Sequence, residues 1–475
     1  MFTTSSPIGI PTPEARSRPI MASQPYSPRN WWTNSSMACR EGERRPGSSA
    51  IPDSSHQVYM LDPDSSPGPF PRIQMQTSSG SIRRILVATD SLKGTCTAIE
   101  AAAAIGGAIA ARVPGVEVDR CPLGDGGEGT LDVLATDQAL RLESHSVLGP
   151  RRDRPRIQAR LGISSDGRLA VVELAEAAGL HLLVEADRDP RRTGTGGVGA
   201  LLDLARVRLE SAGGARPILM LAVGGSGTVD GGVGALSSMG VEFRSTHEPI
   251  RSPLVGDDLA RIERIDLPAG VRAAWAGIDL RVATDVRNPL TGPMGAARIF
   301  GPQKGADEST VEFLEHGLES WVEVMGRCVG IDRAAEAASS PGAGAAGGIA
   351  FALQALFDAR LESGFDLVAD RIGLEERVRA ADLVVTSEGR LDAQSMMGKA
   401  TGRLLDLATL HGTPVAAIPG SVGDLPGEVR ARFSWIRSLV DTCGASIATS
   451  DPCGAMAAAV RLEFPESDAT PASAG

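Results

Sequence analysis

The chain predicts an α/β protein with parallel sheet. Three observations carry this. Short apolar runs recur along the sequence, each too short for a helix and flanked by turn residues. Each run ends in a polar loop rich in glycine and carrying a carboxylate. A helix-like stretch then follows, so the alternation is that of βα units rather than of an all-α or all-β chain. Leu383–Val385 is the clearest case. It runs into a loop carrying Glu388, Arg390 and Asp392, then into Gly398-Lys399 and a helical pattern from Ala400 to Leu410. Open α/β sheets bind ligands beyond the carboxyl ends of their strands, so this loop is expected to form one wall of an active site.

Taken in order, residues 1–81 are rich in Pro, Ser and Arg and hold no sustained period, which predicts disorder. Order is expected from Ile85–Ala88, a strand that ends at Asp90-Ser91-Leu92-Lys93-Gly94. Thr95 or Thr97 can cap the alanine-rich helix that follows to about Arg112. Val116–Cys121 reads as the next strand and enters Asp125-Gly126-Gly127-Glu128-Gly129. Near residue 148 the texture changes. Beyond it lie the strand Leu169–Leu174, a glycine-rich entry to a helix over 200–209, and the strand Ile218–Val223. That strand ends in Gly224-Gly225-Ser226-Gly227-Thr228-Val229-Asp230. Leu280–Ala283 precedes Asp285 and Asn288, an amphipathic helix spans 308–328, and Pro341–Gly348 leads another helix. Pro414–Ile418 and Trp435–Leu439 are the last strands, Ala455–Leu462 the last helix, and 465–475 a frayed tail.

At 475 residues the chain is long enough for two or three domains. A net charge of −11 with only 4% aromatic residues argues against nucleic-acid binding. The longest strongly apolar run, Ala101–Ala111, is too short to cross a bilayer. No charged-then-apolar leader is evident at the N-terminus, and the six cysteines form no CxxC pair. Reduced thiols in a cytoplasmic protein are the expectation. Of the 47 basic residues only Lys93, Lys304 and Lys399 are lysine, and each lies beside glycine. In a chain that otherwise uses arginine, a compact ammonium at these places suits a site that needs a point charge, as phosphate sites do.

Glycine loops let backbone N–H groups approach an anion, which makes 194–199, 224–232 and 342–348 candidate anion loops, although close backbone packing explains any one of them equally well. Asp90, Asp125, Asp230, Asp285, Glu388 and Asp392 all follow apparent strands. One Asp in such a loop is more readily a cap or turn residue. Six of them, with three lysines, suit phosphoryl transfer, which needs a carboxylate near the acceptor hydroxyl, others for Mg²⁺, and cations on the transferring group. Standard nucleotide motifs fit poorly. Gly398-Lys399-Ala400 lacks the hydroxyl residue of a P-loop, and 193–199 follows no clear strand. No histidine pair has zinc spacing, and no nucleophile elbow is present.

Together these stretches resemble the bacterial type I glycerate kinase family over about Arg83 to Ala458. The matching motifs are Asp90–Gly94, Asp125–Thr130, Gly224–Ser226 with Asp230–Gly232, Asp285-Val286 with Asn288–Pro293, Phe300–Gly305, Pro341–Gly348, Glu388–Arg390 with Asp392, and Gly398–Ala400. The resemblance implies ATP-dependent phosphorylation of D-glycerate, usually at the 2-hydroxyl. It also implies two α/β domains. A flavodoxin-like domain would be built from 82–148 and 346–464, with a second α/β domain, 149–345, inserted in it. On this reading Asp90 or Asp285 takes the acceptor proton, while Lys93 and Lys304 neutralise the moving phosphoryl group. Arg390 clamps the substrate carboxylate, and Glu388 and Asp392 sit near Mg²⁺. Gly224, Gly225, Ser226, Gly344, Gly347 and Lys399 would bind nucleotide phosphate. Ser91, Asp125, Glu128, Asp230 and Asn288 would bind the acid substrate. The chain departs from the family at Leu92, Gly196, Val198, Gly227, Val229, Ser387 and Met397. The altered turn at 196–198 keeps open a kinase for another small hydroxy acid; transfer to the 3-hydroxyl is a separate alternative. A catalytically silent binding protein on the same scaffold is the alternative of a different class. Glycerate and ATP are the expected partners, with homo-oligomerisation left open and neither membrane nor nucleic acid involved.

Overall fold

The computed structural model describes residues 76–77, 80–136, 140–210, 216–246, 250, 252–396 and 400–465. Five strands form a sheet that is parallel throughout: Arg84–Thr89, Glu117–Arg120, Leu383–Ser387, Val415–Ala417 and Trp435–Ile436. Numbered along the chain, these five lie side by side in the order 2-1-3-4-5, the flavodoxin-like order. The central pair is therefore Arg84–Thr89 against Leu383–Ser387, in register from Leu383↔Ile85 to Ser387↔Thr89. Their sequences are unbroken apolar runs because both faces are covered. Ile85, Val87, Leu383 and Val385 pack on helices Ala98–Arg112 and Pro452–Glu463, while Leu86, Ala88 and Val384 pack on Leu374–Ala380 and Ala400–His411. The first helix begins where a capping residue was expected. Thr97 accepts from the amide of Glu100, whose carboxylate accepts from the amide of Thr97 in return.

The second sheet has six strands, in the spatial order 360–362, 279–283, 218–222, 169–173, 157–164 and 140–147. The first four run parallel; 157–164 is antiparallel to both of its neighbours, 169–173 and 140–147. Its core is built on helices Gly196–Glu210, Glu308–Val329 and Ile349–Phe357. Helices Thr130–Ala135 and Gly364–Arg371 cover the other face.

The chain changes sheets at places other than the expected 148 and 346. Leu140–Val147 hydrogen-bonds along Ile157–Ser164, and Arg360–Glu362 along Arg281–Ala283, so both strands belong to the six-stranded sheet. The texture change near 148 marks a turn within this sheet, since the pairing partner of Val147 is Ile157. Gln76–Thr77 also pairs with Gly80–Ser81 inside the stretch expected to be disordered; residues 1–75 and 466–475 lie outside the described residues.

Among the described residues no helix is long and apolar enough to cross a membrane. No disulfide links any of the five described cysteines.

Candidate active site

The flavodoxin-like order places its switch point between the two central strands, and the loops leaving them carry Asp90 and Glu388. The Asp90 amide donates to the Ser387 carbonyl at 2.8 Å, which joins the two strand ends directly. Gly389 lies against the backbone of Leu92 and Lys93, so the lysine loop and the Glu388 loop are neighbours. Lys93 itself is exposed.

The third wall comes from Asp125–Gly129, which leaves the Glu117–Arg120 strand and presses on the second sheet. The Gly126 carbonyl accepts from the Gly224 amide at 3.0 Å. A Cβ on Gly224 would collide with Cα of Gly127, and one on Gly364 would collide with the Asp125 carbonyl oxygen. Asp285 stands beside this contact. Its carboxylate accepts from the Ser363 hydroxyl (3.0 Å) and the Gly364 amide (2.9 Å). The strand ends of both sheets therefore meet along Asp125–Gly127. Gly364→Ala is expected to push the Asp125 loop away, costing roughly 1–3 kcal/mol of stability and lowering catalytic activity. A denaturant midpoint and a rate measured together would check it.

The electrostatics follow from this convergence. Burial and then the charge of Asp125 push the Asp90 carboxyl up to about 7; the Ser91 amide and Lys93 pull it down, and Glu388 pushes it up again. Burial raises Asp285, as does Asp125, against the hydrogen bonds from Ser363 and Gly364. Asp125, Lys93 and Glu388 thus all act on Asp90, and Asp125 also acts on Asp285. This is the arrangement expected of a site that moves protons near neutral pH.

The other candidate residues divide. Ser91 is half-buried, with its amide on the Asp90 carboxylate at 2.6 Å. Glu128 is exposed and lies 3.7 Å from the His181 ring. Glu388 is buried, with Oε2 accepting from the Ser395 hydroxyl at 2.8 Å. Arg390 is exposed and pairs with Asp392 at 3.1 Å. Gly225 is exposed beside Glu128, and Ser226 is half-buried.

Several expectations do not fit their surroundings. Asp230 is fully buried; it accepts from the Thr195 amide and hydroxyl and from the Gly232 and Gly234 amides, and so ties loops together rather than facing a substrate. Asn288 spends its amide on the Met294 carbonyl at 2.8 Å, closing a turn. Gly344 and Gly347 are buried against the backbone of Pro289 and Thr228, where a Cβ would not fit; this is close packing, not an anion cradle. The same holds at 194–199, where Gly197 meets the Leu148 carbonyl and Gly199 the Ala235 carbonyl. The altered turn at 196–198 is buried as the start of a helix and so gives no support to a changed substrate. Lys304 is 1% exposed and does not itself line the cleft. Lys399 lies outside the described residues.

One residue was not anticipated as part of the site. Glu173 is buried at the end of its strand, and its two oxygens accept from the amides of Gly129 and Leu131, each at 3.0 Å. It caps the helix after the Asp125 loop from another strand, where Gly129 offers no side chain to do so. A carboxylate at a strand end was the pattern that could have found it.

The fold is that of a two-sheet α/β protein with a group of carboxylates and a lysine at a topological switch point. The Glycerate kinase family model matches residues 85–452, and the chain belongs to that family of kinases. It is 38% identical over 341 residues to a glycerate kinase of Halalkalibacterium halodurans, covering 71% of this chain and 86% of that protein. It is also 38% identical over 364 residues to the glycerate 2-kinase of Escherichia coli, covering 75% and 91%. A crystal structure from Salmonella typhimurium LT2, provisionally assigned as glycerate kinase 2, superposes with a TM-score of 0.66 at 32% identity, covering 81% of this chain and 98% of the other.

Proposed function

We propose that this chain phosphorylates D-glycerate at the 2-hydroxyl with ATP as donor. The observation that carries the reading is the meeting of Asp90, Asp125 and Glu388 with Lys93 at the ends of adjacent strands. Asp90 takes the proton of the acceptor hydroxyl. Its environment favours this over Asp285, whose carboxylate is held by Ser363 and Gly364. Lys93 neutralises charge on the transferring group, and Arg390, still exposed, reaches for the acid's carboxylate. Glu388 and Asp392 would hold a divalent cation; the Ser395 hydroxyl, which donates to Glu388 and accepts from the Asp392 amide, brings the two residues together. No cluster of three or more His, Cys, Asp or Glu side chains with metal-binding geometry occurs among the described residues. Mg²⁺ commonly needs only one or two carboxylates with phosphate oxygens and water. When bound, it would offset negative charge on the phosphate chain.

Incubation with ATP, Mg²⁺ and D-glycerate, read by ³¹P NMR, is expected to give 2-phosphoglycerate and ADP. A 3-phosphoglycerate signal would move the transfer to the other hydroxyl, and no product would sink the reading.

A further inference from the structure

We infer that Lys304 serves the site through Ser226: buried behind the serine, it holds the Oγ so that the hydroxyl is presented to an anionic oxygen of a substrate. Lys304 is then a positioning residue and Ser226 the contact. The inference rests on the kinase reading above and deepens it.

The geometry points one way. Lys304 is 1% exposed, and its Nζ donates to the Ser226 Oγ at 2.8 Å and to the Thr228 carbonyl at 2.7 Å. An ammonium has donors and no lone pair, so the Ser226 oxygen accepts and its own proton must point elsewhere. Ser226 is half-buried, on the same loop whose Gly224 meets Gly126 and Gly127 and whose Gly225 meets Glu128. The lysine is wedged as well as buried. It ends the short turn Pro302–Lys304, and a Cβ on the following Gly305 would collide with the Arg188 carbonyl. Asp230 supplies an opposing charge, while its own oxygens accept from the amides of Thr195, Gly232 and Gly234. Burial lowers the Lys304 amine to about 7, and the Asp230 carboxylate works against that burial. A planar guanidinium with five donors does not suit a dry site that offers two acceptors. That is a physical reason for a lysine here in a chain that otherwise uses arginine.

The shared ligand chemistry is a carboxylate or phosphate oxygen, which either glycerate or ATP could provide. Steady-state KM values for each substrate in Ser226→Ala, Ser226→Thr, Lys304→Met and the double variant decide between them. Ser226→Ala is expected to raise KM for one of the two about 10- to 100-fold with a smaller loss in kcat, as for a lost charge-assisted hydrogen bond. Lys304→Met should raise the same KM, Ser226→Thr should restore it, and the double variant should be no worse than the worse single one. The substrate whose KM moves identifies the oxygen. Wild-type KM for both substrates in Ser226→Ala, a fall in kcat alone, or losses that multiply in the double variant would overturn the relay. If Lys304→Met does not fold, Ser226→Ala decides by the same criterion. If the wild type does not turn over glycerate, the kinase reading fails separately. Calorimetric binding of ATP and of D-glycerate to wild type and Ser226→Ala then tests the relay, and unchanged affinities would end it.

Discussion

Asp90→Asn is expected to lower kcat for glycerate phosphorylation by about 10²- to 10⁴-fold, the usual worth of a positioned base. Asparagine keeps the shape and loses the ability to take a proton. The pH dependence gives a second, independent sign of the same role. A base works deprotonated, and burial with the Asp125 charge holds the Asp90 carboxyl near 7. The wild-type kcat/KM should therefore fall about tenfold per pH unit below 7 and level off above it. Asp90→Asn should flatten that acidic limb, and Asp125→Asn should move it to lower pH by removing a like charge. A wild-type profile that stays flat between pH 5 and 8 would take Asp90 out of the base role and leave Asp285 to be tested in its place.

Lys93→Ala is expected to lower kcat by about 10²- to 10³-fold, as when one charged donor is removed from a developing anion. The lysine is exposed and its backbone rests against Gly389, so the variant should fold with a melting temperature close to wild type. It should also leave a mark on Asp90. Lys93 pulls the Asp90 carboxyl down, so its loss should shift the acidic limb of kcat/KM to higher pH. Lys93→Arg should recover only part of the rate, because a guanidinium is larger and differently hydrated. Full turnover in Lys93→Ala would assign the charge neutralisation elsewhere.

Both predictions depend on which loops meet, and the sequence was unevenly informative about that. The parallel strands were readable because burial on both faces demands unbroken apolar runs such as Ile85–Ala88 and Leu383–Val385. The Thr97 cap was readable because capping is local chemistry. Sheet membership was not. Leu140–Val147 and Arg360–Glu362 are edge strands with mixed faces, and nothing in their composition says which sheet completes them.

The site shows the same division. By itself the sequence determined which strand ends carry carboxylates, where the three lysines stand, and hence the class of chemistry, because these are properties of residue type and local spacing. The tertiary structure decided which of those groups come together. Asp90 and Asp230 both sit in glycine loops after strands, yet one joins Asp125 and Glu388 while the other is sealed among amides. Lys93 and Lys304 both precede glycine, yet one is exposed and the other is buried behind Ser226. Burial and electrostatic coupling are set by what packs against a loop from distant parts of the chain, and a glycine written for close packing looks the same in sequence as one written for an anion.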